Sequence, residues 1–210
     1  MLAHTLIAGD TGSGKSWTEN KIVRRLIDES ASLILIDPKR LELEEYKPHA
    51  LMYADDNSGI AMAIRTAYSK MQARIMDTKS KGLKEYTGKP LYIVIDEMLP
   101  ITMNKDFKKD GTLYYIEQIA ILGRAARVFL IICTQKATRK SIPDMVKTCF
   151  YNRICLRQFD KRDYRYVLDE SVDPLVTLYG ECYIRTAGQD AIKIKSDDVV
   201  SMLFDKKEEG

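Results

Sequence analysis

Four apolar runs without an internal charge set the frame of this chain: Thr5 to Ala8, Leu33 to Ile36, Leu91 to Ile95 and Val128 to Cys133. A strand with one face in water alternates apolar and polar residues, so unbroken runs of this length predict strands covered on both faces, as in a parallel sheet. Between them the period changes. Residues 17–27 carry Ile22, Val23, Leu26 and Ile27 at helical spacing among Lys, Arg, Glu and Asn. Residues 58–79 repeat that spacing with Ile60, Ala61, Ile64, Ala67, Tyr68, Met71 and Ile75, which predicts a long helix. A further helix is expected near residues 113–126, and Lys79 to Lys89, with Gly82 and Gly88, is a polar connection. Strand and helix in alternation predict an α/β fold: a mostly parallel, doubly wound sheet with helices on both faces. Ligand chemistry in such sheets gathers beyond the C-terminal ends of the strands.

At the ends of these runs the polar residues become specific. Gly9-Asp10-Thr11-Gly12-Ser13-Gly14-Lys15-Ser16 lies between the first strand and the first helix, which is a full P-loop (Walker A) pattern in the context it requires. Small residues there leave successive backbone N–H groups unscreened, so they can wrap a polyphosphate at the helix N-terminus. Gly9 to Ser16, with Trp17 next to them, are the candidate contacts to ATP. Lys15 is expected to reach the β- and γ-phosphates, and Ser16 to place its hydroxyl on Mg²⁺. The third run ends in Asp96-Glu97, the form of a Walker B strand. Asp96 would hold Mg²⁺, through water or Ser16, and Glu97 would polarise the attacking water. Thr134-Gln135 ends the next run, where Gln135 is a candidate sensor of the γ-phosphate.

Composition narrows the setting. At 210 residues, with 45% hydrophobic and 30% charged residues, the chain suits one domain over residues 1–205, and the charged tail at 206–210 reads as disordered. The longest wholly apolar stretch, Val128 to Cys133, is far short of the roughly 20 residues that span a bilayer. No basic, apolar leader opens the chain, so no secretion signal is expected. Cys133, Cys149, Cys155 and Cys182 have no CxxC spacing and read as buried thiols in a reducing cytoplasm. A net charge of +3 is too small to identify a nucleic-acid partner by itself.

Taken together, these segments resemble the motor domain of the FtsK/SpoIIIE DNA translocases, part of the wider FtsK-HerA superfamily of P-loop ATPases. His4 to Ser16 is similar to that family's Walker A segment. Leu35-Ile36-Asp37-Pro38-Lys39-Arg40-Leu41-Glu42-Leu43 is similar to its characteristic stretch after the second strand. Arg124-Ala125-Ala126, Thr134-Gln135, Lys147, Arg153 and Lys161 to Arg165 with Leu168-Asp169 fall in the family's order, so the resemblance covers residue 3 to about 200. It implies a RecA-like fold and a homo-oligomeric ring, hexameric in form, that pumps double-stranded DNA.

The residues allow that independently. Between Thr134 and Arg165 stand nine basic residues against three acidic ones, a segment able to track phosphates without reading sequence. Lys136, Arg139, Lys140 and Lys147 are the expected DNA contacts. A ring also implies an arginine finger from a neighbouring subunit, for which Arg124, Arg127 and Arg165 are candidates, Arg124 first and Arg165 close behind. Arg127 departs from the family, which usually has Gly at that position. The chain starts close to the P-loop strand, so the expectation is a minimal motor without membrane anchor, preceding subdomain or DNA-reading winged helix, brought to its DNA by a recruiting partner. Such motors are typical of phages, plasmids and integrative elements. Two alternatives stand beside it: an FtsK-like ATPase of protein export, as in type VII secretion, and a nucleotide-binding scaffold that does not turn over.

Overall fold

The computed structural model describes residues 3–175 and 180–205, so the tail at 206–210 lies outside the described residues. Strand β1 (Thr5–Ala8) leads into helix α1 (Lys15–Asp28), and β2 (Ser32–Ile36) into a 3-10 segment (Glu44–His49) and β3 (Met52–Ala54). Helix α2 (Asn57–Ser80) starts at Asp56, whose carboxylate accepts the Gly59 N–H at 2.7 Å and so caps the first turn. After β4 (Leu91–Ile95) come the short α3 (Leu99–Met103) and α4 (Lys105–Lys109), then α5 (Thr112–Leu122). Strand β5 (Val128–Thr134) is followed by α6 (Asp144–Thr148), β6 (Asn152–Cys155) and α7 (Lys161–Leu168). The hairpin of β7 (Glu181–Arg185) and β8 (Ile192–Lys195) and helix α8 (Val199–Phe204) close the described chain.

Among the described residues one sheet of eight strands runs in the order β3-β2-β4-β5-β1-β6-β7-β8. The six strands from β3 to β6 are parallel, and β7 and β8 add antiparallel to β6 and to each other. The apolar runs lack alternation because both of their faces are covered. Leu6, Ile34, Ile93, Ile95, Leu130 and Ile132 pack with α2, α5 and α7 on one side, while Ile7, Leu33, Leu35, Val94 and Ile131 pack with α1 and α8 on the other. The expected doubly wound α/β architecture is the one observed.

The differences from expectation lie at the margins. The helix expected at 113–126 gives way after Leu122 to a 3-10 turn over Gly123–Ala126, and Arg127 then takes a left-handed conformation (φ 50°) that turns the chain into β5. Strand β3 carries only three residues, and two of the four in β6 are the polar Asn152 and Arg153, so neither forms an apolar run. In β7 the buried Cys182 and Ile184 alternate with the half-buried Glu181, Tyr183 and Arg185, the signature of a strand covered more fully on one face than on the other.

Candidate nucleotide site

The loop after β1 is tied to the two strands beside it. Gly9 N–H donates to Thr134 O at the end of β5 (3.2 Å), and Asp10 N–H donates to Arg157 O beyond β6 (3.1 Å). The Asp10 carboxylate in turn accepts the Phe159 N–H at 2.5 Å. Glycine is required twice over. A Cβ on Gly9 would come within 2.4 Å of Ser13 Oγ and 2.9 Å of Leu156 Cβ, and Gly14 starts α1 from a left-handed conformation (φ 89°) that an L side chain resists. The first N–H groups of α1 have no carbonyl one turn before them, so they face the loop's hollow as donors.

That hollow is a cavity of about 640 Å³, walled by Asp10, Thr11, Gly12, Gly14, Lys15, Ser16 and Trp17 on one side and by Lys39, Glu42 and Gln135 on another. It extends to Gly180, Ser196 and Asp197, from the far end of the chain. Trp17 is half exposed, with Lys21 Nζ 3.6 Å over its ring, and Lys21 pairs with Asp197. Ser196 and Asp197 were not legible as site residues, because some 180 positions separate them from the P-loop.

The C-terminal end of β4 supplies the acids. Lys15 Nζ donates to Asp96 Oδ1 at 3.1 Å and to Asp96 O at 3.4 Å, and both side chains are almost wholly buried. Glu97 is gripped by donors from two other loops: Thr134 Oγ1 donates to Oε1 (2.8 Å), while Gln135 N–H and Lys39 Nζ donate to Oε2 (both 3.2 Å). Gln135 therefore holds Glu97 through its backbone and leaves its own side chain on the cavity wall. Behind this pair stands Glu19 of α1, one turn on from Lys15 and fully buried. Burial first, then the neighbouring Asp96 carboxylate, push the Glu19 carboxyl well above the usual carboxylate range. Burial pulls the Lys15 ammonium down, but the Cys133, Glu19 and Asp96 groups beside it outweigh that and leave it raised, so Lys15 stays charged. The Cys133 thiol and the Glu19 carboxyl are both pushed up by burial toward their neutral forms, which leaves the Asp96 carboxylate, in direct contact, as the main partner.

Two observations fit a nucleotide with Mg²⁺. Ser13 Oγ is buried in the P-loop without a hydrogen-bond partner, and the glycine cradle is one that side chains would fill. No group of three His, Cys, Asp or Glu that could hold a metal exists among the described residues, so Ser16 and Asp96 would complete an ion only together with phosphate oxygens and water.

Similarity places the chain further. The FtsK/SpoIIIE family matches residues 1–173. The chain belongs to this family, and with it to the P-loop ATPases. DNA translocase FtsK of Campylobacter jejuni is 29% identical over 213 aligned positions, covering 91% of this chain and 22% of its own length. The Ftsk domain-containing protein YdcQ of Bacillus subtilis is 31% identical over 166, covering 74% of this chain and 34% of its own length. The chain thus spans between a fifth and about a third of these two relatives. Among solved structures, the pCW3 conjugation coupling protein TcpA, a monomer with ATPγS, matches at a TM-score of 0.82 with 24% identity, over 94% of this chain and 62% of its own. EssC of Geobacillus thermodenitrificans (ATPases 2 and 3) matches at 0.76 with 15% identity, over 95% and 42%. At those identities the fold is what is shared.

Within this FtsK/SpoIIIE domain the other expected residues fall at three places. Arg124 is exposed just before β5, at the N-terminal edge of the sheet, its guanidinium 5.4 Å from the Tyr151 ring. Arg165 lies on α7 and lines a separate cavity with Lys161, Arg162, Asp173 and Tyr183. Lys136, Arg139 and Lys140 are exposed on the loop after β5, where Lys136 lies 3.6 Å from Asp163 and Arg139 2.9 Å from Asp144. Lys147 is different. Its side chain is buried, and Nζ donates to Tyr166 O (2.9 Å) and Asp169 Oδ1 (2.5 Å), so it is not placed to meet DNA. The expectation for Lys147 is corrected: α6 turns it inward, where it ties α6 to the end of α7.

Proposed function

We propose that this chain is the ATP-hydrolysing motor of a DNA translocase, working as a hexameric ring that moves double-stranded DNA for a phage, plasmid or integrative element. The observation that carries the hydrolytic part is the grip on Glu97. A buried carboxylate held by Thr134, Gln135 and Lys39, the last two of which line the cavity beside the P-loop, is a positioned base at the ends of β4 and β5. The loop amides and Lys15 bind the phosphates, Ser16 and Asp96 hold Mg²⁺, Glu97 orients the attacking water, and Gln135 reads the γ-phosphate. Mg²⁺, when bound, neutralises charge that develops on the phosphate oxygens.

A neighbour completes the site. Strand β5 has seven residues, so at about 3.3 Å each the edge that carries Arg124 lies roughly 20 Å from its own phosphate loop. Arg124 can act only on another subunit's nucleotide, and Arg124 is the preferred finger over Arg165. Lys136, Arg139 and Lys140 are the DNA contacts, on the loop that directly follows the Glu97-holding residues, so hydrolysis and DNA grip share one connection. The protein acts in the cytoplasm, in keeping with four free thiols, and a further protein recruits it to its cargo.

The deciding measurement is the steady-state ATPase rate with and without linear duplex DNA at rising salt. Stimulation that fades steeply with salt is expected. No stimulation at any salt would move the reading to protein export on the same core. Glu97→Gln should lower turnover by at least about 100-fold while ATP stays bound, and near-normal hydrolysis would remove Glu97 from its role.

A further inference from the structure

The phosphate cavity contains a second lysine that the P-loop pattern does not require. Lys39 sits on the loop after β2, and Asp37 fixes that loop: its Oδ2 accepts Glu42 N–H (3.1 Å), Leu43 N–H (3.0 Å) and the Tyr53 hydroxyl (3.3 Å). The Lys39 side chain, 32% exposed, therefore reaches across the cavity wall to Glu97 Oε2 at 3.2 Å. It borders the same space as Lys15, Ser16 and Gln135.

A carboxylate offers about four acceptor positions, two on each oxygen. Gln135 N–H and Lys39 Nζ occupy both on Glu97 Oε2, and Thr134 takes one on Oε1. Three of the four are thus taken, one of them by Lys39, and a single position on Oε1 stays open to water. Two anions can claim its charge: the Glu97 carboxylate, and the third phosphate of a nucleotide seated on Lys15 and Ser16. ADP has no group in that place. Because Lys39 is an ammonium on a flexible stem, it can change partners at the cost of one bond.

We propose that Lys39 is a switching cation that leaves Glu97 for the γ-phosphate when ATP binds, so that the third phosphate itself opens Oε2 of the base to water. This rests on the reading of Glu97 as the water-orienting base. Lys39 is in this view a positioning residue for Glu97 and a contact that distinguishes ATP from ADP.

The test is a double-mutant cycle on nucleotide affinity. Lys39→Met should weaken ATPγS by about tenfold, the worth of one charge-assisted hydrogen bond, and leave ADP within about twofold. Glu97→Gln removes the competing anion, so it should tighten ATPγS in the chain with Lys39 and have no effect in the Lys39→Met chain. Lys39→Arg, which keeps the charge, should keep the preference for ATPγS, and Lys39→Gln serves if the Met variant does not fold. Equal weakening of ADP and ATPγS, or additive single effects, would overturn the switch and leave a plain surface ion pair. The underlying reading fails differently: Glu97→Gln would retain turnover while the ATPγS-to-ADP ratio still answered for Lys39.

Discussion

The parallel strands end, at either edge of the sheet, in a cluster of buried charge, and the two clusters are built on opposite terms. At the C-terminal edge Lys15 faces two buried carboxyl groups, Asp96 and Glu19, and burial with the Asp96 carboxylate holds Glu19 well above the usual carboxylate range. At the N-terminal edge one carboxylate, Asp169, meets Lys147, Arg153 and Arg185. There the surplus of cations is absorbed by backbone carbonyls. Arg153 donates to Phe150 O, Val167 O and Lys147 O, Lys147 to Tyr166 O, and Arg185 to Leu168 O. A satisfied cluster clamps elements together; a cluster with more acid than cation beside a cavity is kept for a ligand.

The largest effect that separates the two is on stability. Asp169→Asn should destabilise the fold by about 2–3 kcal/mol in urea titration, because it removes the counter-charge of two buried cations; the half-exposed carboxylate keeps this below the 3–5 kcal/mol of a fully buried pair. ATP affinity should not change. A loss below about 0.5 kcal/mol would mean that the carbonyls alone suffice and that Asp169 is no part of the clamp.

How far the sequence reveals these two regions differs for a physical reason. Gly9 to Ser16 and Asp96-Glu97 are legible because their chemistry is carried by neighbours along the chain. The parallel core is legible because covering both faces erases alternation. A charge count over residues 134–165 reads Lys147 and Arg153 as part of a basic surface, since burial is decided by partners such as Asp169 that arrive from elsewhere. Glu19 could have been found: with Ile22, Val23 and Leu26 it lies on the buried stripe of α1, four residues after Lys15. Lys39 stands inside the stretch that carries the family resemblance, but its contact with Glu97 joins two strands and has no signature in spacing.

The second effect belongs to the clamped edge. His4 is buried between Phe129 and Phe150 and accepts the Leu130 N–H on Nδ1 at 2.9 Å. Burial pushes its pKa down from 6.5 to about 4. The folded value lies below the unfolded one, so the unfolded chain binds more protons between these limits. His4's contribution is complete above about pH 6.5 and is lost as pH falls, by about 2 kcal/mol between pH 7 and 5. Unfolding free energies at both values, for the natural chain and for His4→Gln, measure the difference. Equal pH slopes in the two chains would take His4 out of the account.

The smallest effect is the one that tests the comparison most directly, because its sign should be opposite. Glu19 is fully buried beside a second carboxyl group, Asp96, and burial holds its own carboxyl well above the usual range, which is a standing cost rather than a clamp. Glu19→Met keeps the length and apolar stem of the side chain and removes both acceptors, so it should stabilise the fold by about 1–2 kcal/mol in the same urea titration. Turnover should not rise with stability, since a group retained at such a cost beside Asp96 and Lys15 serves the site rather than the fold. If Glu19→Met instead destabilises as Asp169→Asn does, both edges of the sheet are held by satisfied charge, and the surplus of acid at the C-terminal edge ceases to mark it as the one that waits for a ligand.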